Sequence, residues 1–115
     1  MRKCDRVKRL INRYGQTVHA ETESGERSVD YKAFVQPVRY KNKMYLNAVE
    51  SPIGTVSENY YLYVGPYDVQ FHAIEEPVTV HTDIMACTVE RSECVFLDDE
   101  ILYIWAILRR VIEDE

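Results

Sequence analysis

Three histidines, His19, His72 and His81, and three cysteines, Cys4, Cys87 and Cys94, offer the metal-ligating and nucleophilic chemistry of this sequence. Metal centres usually draw such ligands in closely spaced pairs, because one turn or helix face must aim two lone pairs at one ion. No Cys-x-x-Cys and no His-x-x-x-His occurs; the six residues are scattered from position 4 to position 94. Cys87, between Met85 and Val89 in an apolar alternation, suits a small buried thiol. An odd cysteine count without an export signal predicts reduced thiols. No metal ligand and no cofactor are expected.

Covalent and acid–base chemistry find no better footing. Gly65 is followed by Pro66, so no nucleophile elbow forms there. Four glycines are not spaced to cradle a phosphate. The acidic pairs Glu75 and Glu76, and Asp98 and Asp99, adjoin a proline and a turn, where carboxylates are normally solvated. Acid–base work asks for burial or shifted titration, which adjacent carboxylates in a turn do not supply. No catalytic residue and no small-molecule substrate are expected, and the chain does not read as an enzyme.

The stretch NYYLYVGPY, residues 59–67, raises base stacking on aromatics. Stacking platforms are flanked by cations, yet residues 58–68 hold Glu58 and Asp68 and no Lys or Arg. A half-buried strand with tyrosine hydroxyls at its rim fits better. Charge is segregated elsewhere. Residues 1–13 carry six basic groups and one acid, whereas residues 44–115 carry three basic groups and fourteen acids. An acidic body repels phosphate, which leaves the basic opening to be explained.

The elements follow from periodicity. Residues 2–14 predict a helix: Val7, Leu10, Ile11 and Tyr14 form an apolar stripe with Cys4, and Gly15 stops it. Arg2, Arg6, Arg9 and Arg13 fall within about 60° of one another on another side, at 100° per residue. Arg2 and Lys3 stand at the positive end of the helix dipole, a position that invites a compensating partner. From Gln16 the pattern alternates. Strands are expected at 17–22 and 29–40, forming a hairpin, with Pro37 marking an edge or a bend. A long connection, 41–57, carries Met44, Tyr45, Leu46, Val49 and Ile53, which want cover. Further short strands are expected around 60–64, 70–74, 78–81, 84–90 and 94–97. Residues 101–108 form the last, read as strand over a helical alternative. The sum is one domain over residues 1–115: a helix, then a small twisted β-barrel or sandwich of six to eight strands over 16–108, then an acidic tail over 109–115. No apolar run is long enough for a membrane-spanning helix, and a cytosolic chain is expected.

Five segments in this order resemble small proteins of prophage operons in Gram-positive bacteria: Arg13 to Gly15, Ala33 to Arg39, Ser51 to Gly54, Tyr61 to Pro66 and Leu102 to Leu108. The resemblance implies a virion structural component at the head–tail junction, an adaptor, stopper or head-completion protein, whose barrel works in a ring. It implies host cytoplasm during assembly and the virion or a phage-like particle thereafter. Its partners are then other copies of itself and neighbouring head or tail proteins, with DNA passing without specific binding. Arg2, Arg6, Arg9 and Arg13 and the loop residues Met44, Tyr45, Leu46 and Ile53 are the expected protein interface. The alternative is a small nucleic-acid-binding barrel whose arginine ridge contacts phosphate.

Overall fold

The structure, a computed structural model, describes residues 2–38, 60–71 and 74–111. Among them lie one helix, α1 (Lys3–Tyr14), and six strands: β1 (Gln16–Thr22), β2 (Tyr31–Pro37), β3 (Tyr60–Gly65), β4 (Val78–His81), β5 (Ala86–Leu97) and β6 (Glu100–Arg110). The strands close into an antiparallel barrel in the order β1-β2-β3-β6-β5-β4, with β4 pairing back onto β1. The barrel, not the sandwich, is the architecture, and the 101–108 segment is a strand.

Period-2 alternation builds the interior. Val18 and Ala20 of β1, Ala33 and Val35 of β2, Val78 and Val80 of β4, Cys87 of β5 and Ile104, Ala106 and Leu108 of β6 all point inward and are buried. These are mostly small or β-branched side chains. They leave room for one large residue, Tyr63 of β3, which is fully buried. Phe71, from the segment after β3, packs on it with ring centroids 5.2 Å apart.

Several expectations are corrected by the pairing. The segment around 70–74 is not a strand; its described residues make a turn in which the Ile74 N–H donates to the Phe71 carbonyl. The two strands expected around 84–90 and 94–97 are one, β5. The intervening charges look like a break, but Arg91 and Glu93 pair on the solvent side and the Arg91 guanidinium lies 5.9 Å from the Trp105 ring centre. A register shift between Val89 and Arg91 absorbs the extra residue as a bulge. Pro37 ends β2 rather than bending it.

Asp98 and Asp99 form the two-residue turn between β5 and β6. Asp98 takes φ of 55°, a left-handed conformation that aspartate tolerates better than most residues. β6 is buried on one face: Ile104, Ala106 and Leu108 are buried, and their neighbours are partly exposed. Tyr63, for its part, does not place its hydroxyl at a rim; the group is inside.

α1 packs against β6 and β2. Cys4 and Ile11 are buried there, outside the barrel cluster. Polar contacts pin the helix: Lys8 Nζ donates to Asp68 Oδ2 at 2.6 Å, and the Tyr67 hydroxyl donates to Asp5 Oδ1 at 3.2 Å. Gly15 stops the helix as expected but for a different reason. Its φ of −81° is open to any residue. What requires glycine is closeness: a Cβ would stand 2.6 Å from the Ile11 carbonyl oxygen and 3.0 Å from that of Ala33.

Candidate functional site

Two surfaces gather groups able to recognise something. The first is the outer face of α1, which the sequence singled out. With Cys4 and Ile11 fixed against the barrel, helical geometry turns the arginine ridge to the opposite side, and all four arginines are exposed. They do not act as one set. Arg2 Nε stands 3.5 Å from Glu100 Oε1, and its guanidinium lies 5.7 Å from the Tyr67 ring centre. The compensation expected for a cation at the helix N-terminus therefore comes from the chain's own β6. Arg13 lies 5.3 Å from the Tyr14 ring centre. Among the described residues no ion pair holds Arg6 or Arg9.

The expected apolar stripe is wider than the buried one. Leu10 is 55% exposed and Tyr14 62%, side by side along one flank of Arg6, Arg9 and Arg13. An apolar pair bordered by cations, rather than a solvated basic face alone, is what the helix presents. The remaining expected interface residues, Met44, Tyr45, Leu46 and Ile53, and the whole connection 41–57, lie outside the described residues.

The counterpart in charge is the β5–β6 hairpin tip. Phe96, 60% exposed, and Leu97, 39% exposed, are followed by the exposed Asp98, Asp99 and Glu100. In the sequence Asp98 and Asp99 mark only a turn. The exposed Phe96 was hidden in what looked like an ordinary strand end.

The second surface was missed. His19, on β1, and His81, on β4, are directly paired across the strands, with rings stacked at 4.7 Å and 10°. Glu21, two residues from His19 on the same outward face, brings Oε1 to 3.2 Å from His81 Nε2. Asp30 Oδ1 stands 3.9 Å from His19 Nδ1 and 3.6 Å from Arg27. Burial, then the positive charges of Arg27 and His81, hold the His19 imidazole below its ordinary titration range. The histidines counted as scattered thus include one cross-strand pair; His72 lies outside the described residues. Nothing local could have found the pair, because it depends on β1 meeting β4.

Two tyrosines of the 59–67 stretch are committed to packing. Tyr61 packs against the barrel core and Tyr63 is sealed inside it, out of reach of a base. A mostly apolar depression of about 450 Å³ opens beside Phe71, between Ala20, Val69, Ile74 and Val78. No protein-family model matches this chain, and no curated protein and no solved structure matches it.

Proposed function

We propose that this chain is a non-enzymatic structural protein that assembles head to tail with further copies of itself into a ring. The resemblance of its sequence to head–tail junction proteins of prophages suggests where the ring works. The observation that carries the reading is the complementary pair of surfaces on one chain. Leu10 and Tyr14 beside Arg6, Arg9 and Arg13 form one; Phe96 beside Asp98 and Asp99 forms the other. A patch that is apolar at its centre and charged at its border is how protein interfaces are built. Opposite charges on two different patches of the same molecule favour a heterologous contact, which closes into a ring when the rotation permits. The closed barrel suits a rigid ring unit, because it offers no open sheet edge at which register is lost. The acidic remainder of the chain lets DNA pass without adhering.

Light scattering on the purified chain tests the assembly. Reversing Arg6, Arg9 and Arg13 to Glu lowers the mass to that of a monomer, and so does reversing Asp98 and Asp99 to Arg. Mixing the two variants restores assembly, since each then meets its opposite charge. A mass unmoved by either reversal overturns the contact. Location is tested by deleting the protein from the producing phage: heads and tails left unjoined in electron micrographs support the junction, and normally joined particles refute it. If the same arginines instead retard generic DNA at low salt, and added salt abolishes it, phosphate binding is their role.

A further inference from the structure

We propose that His19, Glu21 and His81 form a binding site for a divalent transition cation of the Zn²⁺ class, which clamps β1 to β4 where the barrel closes. The proposal is independent of the assembly reading and rests on donor chemistry and placement. One nitrogen from each histidine and one oxygen from Glu21 all lie within 4.8 Å of one another. Two imidazoles and one carboxylate suit Zn²⁺, Ni²⁺, Co²⁺ or Cu²⁺; Mg²⁺ and Ca²⁺ prefer all-oxygen shells.

Geometry supports a small adjustment and no refolding. Two ligands bound at about 2.0–2.1 Å in a tetrahedral shell are about 3.3 Å apart. The 3.2 Å between His81 Nε2 and Glu21 Oε1 already meets that edge. His19 completes the set by a side-chain rotation that unstacks its ring from His81. The three donors stand on paired strands rather than on loops. Beneath them Ala20 and Val80, themselves paired, are buried in the core, so the backbone under the site is held. Asp30, 3.9 Å from His19 Nδ1 and 3.6 Å from Arg27, is the nearest further carboxylate. Three protein donors on a partly exposed face leave a coordination position for water or a ligand from a partner.

A cation there would bridge two strands that are distant in sequence. β1 is paired with β4 through four residues and with β2 through three, whereas β5 and β6 share a long ladder.

Isothermal titration of the full chain with ZnCl₂, beside thermal unfolding with and without the metal, tests the site. One Zn²⁺ per chain and a raised Tm are expected, with no response to MgCl₂. His81→Ala and His19→Ala each weaken binding by at least about tenfold, and Cys94→Ser leaves it unchanged. No heat and no rise in Tm with Zn²⁺ overturns the proposal. So does binding that survives in the double histidine variant. Should that variant fail to fold, Co²⁺ added to the unaltered chain is read by NMR. Broadening of the His19 and His81 ring resonances supports the site, and broadening confined to other residues refutes it.

Discussion

The hydroxyls of Tyr31 and Tyr63 meet 3.0 Å apart at the barrel interior, one from β2 and one from β3. Tyr63 is fully buried, so each phenol gives the other the partner that water cannot supply. Removing the Tyr31 hydroxyl orphans that of Tyr63. Tyr31→Phe is expected to cost about 1–3 kcal/mol, the usual penalty for a buried polar group left without a partner. Tyr31→Phe with Tyr63→Phe is expected to cost less than the two single changes added together. Urea denaturation of the three variants gives the coupling; strict additivity would show that the pair makes no effective bond.

The same pair sets a limit on alkaline stability. Burial pushes the Tyr31 phenol up to about 12 and the Tyr63 phenol well above its ordinary 10.0. The folded state therefore favours the neutral, protonated form. This stability is complete below the unfolded value of 10.0 and is lost as pH rises from there toward about 12. The urea midpoint should fall across that window, with the last tyrosinate absorbance appearing only as the chain unfolds. In the Tyr31→Phe, Tyr63→Phe variant the fall should be shallower.

Two glycines are required by closeness, not by unusual backbone. At Gly65 a Cβ would occupy the space now filled by the Tyr63 ring, and at Gly15 it would press on the Ile11 and Ala33 carbonyls. Each Gly→Ala is expected to destabilise by about 1–3 kcal/mol, as overpacking does. The two should differ in kind. Gly65→Ala displaces Tyr63 and lowers its aromatic near-UV dichroism; Gly15→Ala pries α1 from β2 and leaves that signal in place.

Neighbouring residues of α1 separate folding from assembly. Ile11 is 1% exposed and Leu10 55%. Ile11→Ala should cost about 2–5 kcal/mol through the cavity it leaves. Leu10→Gln and Tyr14→Gln should stay within about 0.5 kcal/mol, as exposed substitutions do. If the outer helix face is an interface, only the latter two lower the mass seen by light scattering while the unfolding midpoint is held.

Much of the architecture is legible in the residues themselves. The recurrence of Cys4 and Ile11 marks a helix face, and the alternation of Tyr61 and Tyr63 with Leu62 and Val64 marks a strand with two unlike sides. Gly65 with Pro66 marks where that strand ends, and β3 ends at Gly65. Helical and extended repeats leave these marks over a few consecutive residues, so no tertiary information is needed to see them. The charged stretch Glu90 to Glu93 misled because a bulge and a solvent-facing ion pair carry a strand through residues that resemble a break. Leu10 and Tyr14 misled because periodicity says which side of the helix is apolar but not how much of that side the barrel covers.

The chain by itself determined that a helix precedes a small β structure and that its opening is basic against an acidic remainder. Those properties are local or additive. Only the tertiary structure decided that the strands close through β1 and β4, that His19 therefore lies against His81, and that the hydroxyl of Tyr63 turns inward to Tyr31. Side chains distant in sequence become neighbours through strand order and register. These are fixed by burying all the inward faces at once, and a slip of one residue would turn each to the other side.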